Sequence, residues 1–252
     1  MNYNPQSNNV GNIGDIIKHA ALVELARLIQ GRNPDTCINY LDTHAYLYKS
    51  PCTNNRWAGD VQLLAKKYKG YTPYYEIEQS FIQQGHYLCS SALAVKTLKD
   101  PRLFLAEKND VTRATLANQL SEAGVKYTAL KHDFKDFLNY TDTSTCGPIF
   151  GLIDPFKLND HEWQGLWQVL SNTLNTIHNP QSDALFIVFN FSKTGTPAWQ
   201  LPPNNLLNIV GVIKHAPYYL AVYATKNIAG PAQAVLNGLG WDVGEICNRQ
   251  LI

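Results

Sequence analysis

The 252-residue chain is 45% hydrophobic and only 16% charged, enough apolar material for one large core. Its 21 Lys and Arg against 20 Asp and Glu leave a net charge of +1, which excludes a global attraction to nucleic acid or membrane and confines any RNA or DNA site to a local patch. The cysteines, Cys37, Cys52, Cys89, Cys146 and Cys247, are scattered and form no Cys-x-x-Cys pair, so no disulfide framework and no metal site is expected.

The N-terminal MNYNPQSNNV is Asn-rich and reads as a loose polar arm, not a signal segment, and no apolar run is long enough to span a bilayer. The expectation is a cytoplasmic protein, monomeric and off the membrane. NIGDIIKHAALVELARLIQ follows, helical and apolar over most of its circumference; Asp15 is spaced to meet Lys18 or His19, and Gly31 reads as the stop. Short β-branched and aromatic runs come next: CINYLDTH (37–44), RLFLAEKN (102–109), VKYTALKHD (125–133), IFGLIDP (149–155) and ALFIVFNF (184–191). Helical stretches such as VTRATLANQLSEAG and WQGLWQVLSNTLNTIH alternate with them, which predicts an α/β fold built on a mostly parallel sheet. LLNIVGVIKH and YYLAVYATKN read as an antiparallel C-terminal hairpin, followed by a helix that starts near GPAQAV and then by WDVGEIC. Residues 46–97 interrupt the alternation with two helix-period segments and no strand signal. They are expected as a helical insertion within a single domain spanning 1–252, at the sheet edge where ligands bind.

Four predicted strands end in an acid: Asp42, Glu107, Asp133 and Asp154. A Glu ending the second strand of a nucleotide-binding sheet suits a ribose diol, since a carboxylate accepts two hydrogen bonds, and an Asp after the third suits an adenine amino group. Each also suits a helix N-cap, a structural role. KKYKGYTPYY, residues 66–75, interleaves three lysines with four tyrosines and is the candidate RNA contact; the alternative is a solvated helix end whose tyrosines pack inward. No hydrolase elbow, His-Glu-x-x-His pair or Walker spacing is present, and His86 with Cys89 lacks a second ligand pair.

GNIGDIIKHAAL followed by YLDTHA resembles the signature of the ribosomal large-subunit RNA methyltransferases that act on adenine N6. There a Gly-Asn-x-x-Asp-x-x-Lys-His helix precedes a Leu-Asp-Thr-His-Ala-Gly strand end. HYLCSSALA, LAEKN, HDF and LIDPF extend the resemblance over most of the chain, the last at the position of an Asp-Pro-Pro-Tyr motif. The resemblance implies a Rossmann-like class I methyltransferase fold with S-adenosylmethionine as cofactor. It assigns Lys18, His19, Asp42, His44, Ser90, Glu107 and Asp133 to the cofactor region, with Lys18 pairing the cofactor carboxylate and the histidines positioning it. Asp154 is assigned to the reacting amino group, with Phe156 stacking on the base and unmodified ribosomal RNA as partner. Two departures stand out: Tyr46, Leu47 and Tyr48 replace small residues after His44-Ala45, and Lys157 occupies the place of the motif's aromatic. They leave open a non-catalytic relative that binds RNA or a protein.

Overall fold

A computed structural model of the protein describes residues 12–52, 56–139, 147–154, 164–168, 171–172, 182–191, 207–215 and 218–240. Helix α1 (Ile13–Arg32) opens the fold because the Asn12 side chain accepts from the Gly14 and Asp15 N–H groups at 2.7 and 3.2 Å, satisfying donors that the first turn leaves free. It runs through Gly31 instead of stopping there. Asn33 ends it, donating from its side chain to the Ile29 carbonyl at 2.9 Å, while buried Asp183 accepts from both Arg32 and Asn33.

The strands are β1 (Asn39–Asp42), β2 (Lys49–Pro51), β3 (His86–Leu88), β4 (Arg102–Ala106), β5 (Ala129–Lys131), β6 (Ile149–Ile153), β7 (Ala184–Phe191), β8 (Asn208–His215) and β9 (Tyr218–Ala224). Seven of them form one sheet in the order β5-β4-β1-β6-β7-β9-β8. The first five in that order pair in parallel, and β9 runs antiparallel between β7 and β8. This is a Rossmann-like sheet with an antiparallel C-terminal hairpin, as the alternation of elements requires. Because β1 lies between β4 and β6, the chain leaves the middle of the sheet in both directions, and the switch point lies beyond Asp42.

Successive strand residues face opposite sides, and the core divides accordingly. Tyr40, Leu103, Leu105, Phe150, Leu152 and Ile187 pack with α1, with α4 (Ser90–Thr97) and with α6 (Lys226–Gly238). Leu41, Phe104, Ile149, Ile153 and Phe186 pack on the other face with Leu166 and Trp167 of the helical residues 164–168. Gly151 lies in the middle strand of this packing. A Cβ there would come 2.3 Å from the Phe186 ring, so only glycine fits. Helix α6 begins at Lys226, ahead of the expected start at Gly230, and Pro231 lies inside it. WDVGEIC falls outside the described residues.

Residues 46–97 are not helical throughout. Helix α2 (Trp57–Lys67), a 3₁₀ turn (Lys69–Tyr71) and α3 (Thr72–Ile82) are framed by an antiparallel pair, β2 against β3, with Ser50 opposite Tyr87. Strands of three residues are too short to show a period of two, which is why the sequence hides them. Buried Glu78 ties α3 to this pair, each of its oxygens 3.1 Å from the Leu88 N–H. Helix α4, at the end of the interval, packs on α1 and β1.

Candidate functional site

Parallel register brings the acids together. Asp42 sits opposite Leu105 of β4 and Leu152 of β6, so Glu107 and Asp154, each just beyond its strand, emerge at the same end of the sheet as Asp42. Helix α1 crosses this end and contributes Lys18. Its ammonium lies 2.5 Å from Asp154 Oδ2 and 3.1 Å from Asp15 Oδ1, so Asp15 meets Lys18, one of the two partners its spacing allows. The Lys18 side chain is 9% exposed. Burial alone would favour release of its proton, but the charges of Asp154 and Asp15 outweigh that and hold it above the ordinary lysine range. The Phe189 ring, at the end of β7, covers the ammonium with its centroid 5.2 Å away. Among the described residues, Lys18 is the one hydrogen-bond donor to Asp154. Lys18 therefore stands on the acid assigned to the amino group, paired with protein carboxylates where the resemblance expects a cofactor carboxylate.

Asp42 is fully buried, with its hydrogen bonds supplied from three directions. The Ser90 hydroxyl donates to Oδ2 at 2.5 Å, the Tyr40 hydroxyl to Oδ2 at 3.2 Å, and the His44 N–H to Oδ1 at 3.2 Å. Burial pushes its carboxyl up to about 6 against the pull of Ser90 and the His44 N–H, with repulsion from Asp154 adding to it. His44 holds its Nδ1 2.7 Å from the Thr43 hydroxyl and packs its ring 5.6 Å from that of Phe134. Burial pushes it down to about 4, so it is neutral at physiological pH.

Glu107 follows β4 and keeps pairing with β5, its N–H donating to the Lys131 carbonyl at 3.0 Å. Its Oε1 accepts from the Asn109 N–H at 2.7 Å. Burial, with Asp42 adding, pushes its carboxyl up to about 7. Asp133 accepts from the Lys135 N–H at 3.0 Å at the start of the 3₁₀ turn Phe134–Asn139, so the capping role holds for this residue. It does not hold for Glu107, since the N-cap of α5 (Asp110–Glu122) is Asn109.

His19 stands apart from this group. It is 3% exposed, stacked on Tyr87 and edge-on to Tyr74, with no hydrogen-bond partner for Nδ1 among the described residues, and burial pushes it down to about 3. It cements α1 to the insertion, away from the strand ends that hold Asp42 and Glu107. Phe156 and Lys157 lie outside the described residues.

The bulky loop after His44 turns inward. Tyr48 is 7% exposed within the core, and Tyr46 and Leu47 pack against it. Gln119 of α5 clamps the loop, accepting from the Tyr48 and Lys49 N–H groups at 2.9 and 3.2 Å and donating to the Lys49 carbonyl at 3.1 Å. Among the residues that sequence reasoning missed, Phe189, Gln119 and Arg113 act across the fold, whereas Tyr40 acts within β1; local signals existed for Tyr40, two residues from Asp42 on one strand face, and for Arg113, at i+3 from Asp110.

The donor set suits S-adenosylmethionine at its ribose end. Among the described residues the Glu107 carboxylate has one lone pair engaged by the Asn109 N–H, which leaves others for a diol, while Tyr48 is buried in the core and half-buried Tyr46 packs against it. Among the described residues no group of three or more His, Cys, Asp or Glu is placed to hold a metal, and no helix is long and apolar enough to cross a membrane.

In the basic stretch, Tyr71 and Tyr74 are buried and Tyr68 packs on Gly240, whose φ of +78° and lack of a side chain admit the ring. Base stacking by Tyr71 and Tyr74 is therefore ruled out. Lys66, Lys67 and Lys69 are exposed.

No family model matches the chain, and no curated protein matches it in sequence. Solved structures do. Protein LPL1258 from Legionella pneumophila, of the family designated DUF519, is 18% identical over 93% of this chain and 95% of its own, with a TM-score of 0.66. The likeness shows a shared fold. An rRNA methylase from Streptococcus thermophilus (9% identity, 82% of this chain and 95% of that one, TM-score 0.44) and the putative methyltransferase yhhF from Escherichia coli (15%, 54% and 70%, TM-score 0.39) are similar more loosely. The sheet itself is Rossmann-like, mostly parallel with an antiparallel C-terminal hairpin.

Proposed function

We propose that the protein is an S-adenosylmethionine-dependent methyltransferase acting on an adenine N6 amino group of ribosomal RNA. The observation that carries this reading is the Lys18–Asp154 pair at 2.5 Å, at the sheet end shared with Asp42 and Glu107. S-adenosylmethionine, when bound, supplies an electrophilic methyl group. Glu107 would take its ribose hydroxyls and Asp133 its adenine, while Asp42, fixed by Ser90, shapes the turn at His44 that would border it.

Asp154 Oδ1 accepts a hydrogen bond from the exocyclic amine and aligns its nitrogen, while Lys18 holds Oδ2 and keeps the carboxylate from rotating. Phe156 is assigned to stacking on the base. Lys66, Lys67 and Lys69 are assigned to RNA phosphates, as a purely electrostatic contact.

Calorimetric titration with S-adenosylmethionine, followed by transfer of labelled methyl to unmodified large-subunit ribosomal RNA, tests the reading. Asp154→Ala is expected to abolish transfer and leave cofactor affinity within about twofold, because it removes alignment of the amine and no cofactor contact. No heat of binding at millimolar cofactor, or transfer undiminished in Asp154→Ala, would refute it.

A further inference from the structure

Arg113 lies on the second turn of α5, outside every assigned group. Its guanidinium joins three elements at the rim of the proposed cofactor pocket. Nη1 donates to the Glu107 main-chain carbonyl at 3.0 Å, just past the end of β4. The same nitrogen lies 2.9 Å from His132 Nδ1, in the residue preceding Asp133 after β5. Nη2 donates to Asp110 Oδ1 at 2.5 Å, in the first turn of α5. A guanidinium has donors only, so His132 Nδ1 is the acceptor in this contact. The side chain is 25% exposed against 79% for Asp110.

The contact with Glu107 is to its main chain, while the carboxylate Oε1 accepts from the Asn109 main-chain N–H at 2.7 Å. Asn109 in turn caps α5, its side chain accepting from Thr112 N–H at 2.9 Å. One fork thus sets the separation of the strand ends that carry Glu107 and Asp133, with five fixed donors in a plane that a lysine does not reproduce. Its charge also faces the Glu107 carboxylate and favours the ionised form, opposing Asp42 on β1; from β5, Lys131 meets Glu107 through its main-chain carbonyl.

We propose that Arg113 is a positioning residue for adenosyl recognition, holding Glu107 and Asp133 at the spacing of a ribose and its adenine without touching the reacting atoms. The inference rests on the methyltransferase reading and predicts a division of labour within it. Loss of Arg113 weakens the cofactor and leaves the chemical step alone, because Lys18 and Asp154 lie on α1 and after β6.

The test measures KM for S-adenosylmethionine, kcat, and the calorimetric Kd for S-adenosylhomocysteine in wild type, Arg113→Ala, Arg113→Lys and Glu107→Ala, with melting temperatures alongside. Arg113→Ala is expected to raise KM and Kd about tenfold with kcat within about twofold. Arg113→Lys is expected to recover less than half of that loss, on a logarithmic scale. Because the charge on Arg113 favours ionised Glu107, the pH at which affinity is half lost should also move upward in Arg113→Ala, a change that loosened packing alone would not produce. If Arg113→Ala does not fold, Arg113→Gln, which keeps a donor for the Glu107 carbonyl, carries the same comparison.

Unchanged KM and Kd in a folded Arg113 variant, with Glu107→Ala weakened, would overturn the role of Arg113 and leave the methyltransferase reading standing. A loss confined to kcat would overturn it too. Wild type that binds neither ligand, or Glu107→Ala that binds as wild type does, would instead remove the cofactor reading on which it rests.

Discussion

With Glu107 assigned to the cofactor ribose as proposed, its carboxyl should make cofactor binding a function of pH where an ordinary glutamate would not. Burial, with the charge of Asp42 adding, lifts it to about 7 against the opposing pull of the Asn109 N–H and Arg113. A carboxylate that accepts both hydroxyls of a diol must be ionised to do so. With a midpoint at about 7 the acceptor is about nine-tenths formed at pH 8 and about one-tenth formed at pH 6, so the apparent Kd rises about tenfold over that interval. Binding at pH 6 must also expel a proton, so the calorimetric heat changes with the ionisation enthalpy of the buffer. Titration of S-adenosylhomocysteine from pH 6 to 8 in two buffers measures both effects. Glu107→Gln should bind weakly at pH 8 and lose the slope between pH 7 and 8. The residual change below that belongs to Asp42, which burial lifts to about 6. A wild-type Kd constant within twofold from pH 6 to 8, or a Glu107→Gln variant that keeps the slope between 7 and 8, would refute the assignment of Glu107 to the ribose.

Glu78 gives the complementary prediction for stability. Burial lifts its carboxyl to about 8 although the Leu88 N–H and Tyr74 hydroxyl favour the charge. A raised acid binds, in the folded state, a proton that the unfolded chain has already released, so stability falls as pH rises from about 4.5 to about 8 and is level above. Glu78→Gln removes that slope, which is at most about 1.4 kcal/mol per pH unit. Urea unfolding at pH 5 and pH 9 should show the variant gaining on wild type, and an advantage independent of pH would count against the buried charge. Gly151→Ala should cost roughly 1–3 kcal/mol in the same assay, because its methyl meets the Phe186 ring, and the loss should shrink when Phe186→Leu is added. Additive losses would show that the ring is not the obstacle. Replacing Lys66, Lys67 and Lys69 by alanine should flatten the dependence of log Kobs for single-stranded RNA on log salt by about 2, at ~0.7 per phosphate contact. An unchanged slope would remove this surface from the RNA contact.

What the sequence determined by itself was whatever short-range pattern encodes. Runs such as IFGLI and RLFLA are too apolar and β-rich to be anything but buried strands, and an α1 apolar on most sides has to be enclosed. Acids at the strand ends marked one edge of the sheet, and the spacing of Asp15 offered Lys18 or His19 as its partner, of which the structure takes Lys18. Tertiary structure alone decided how those residues meet. Asp154 lies 136 positions from Lys18, and the contact exists because α1 packs across β6 and β7, which brings Lys18 to the end of β6. His19 neighbours Lys18 in the chain, yet the helical rotation between adjacent residues sends it to Tyr74 and Tyr87 of the insertion. Tyr48, Tyr71 and Tyr74 have identical composition in sequence whether they face a ligand or a core, and only packing places them inside. Local sequence sets which element a residue occupies; which partner it finds across the fold depends on strand order and helix rotation, and those are settled only when the whole sheet closes.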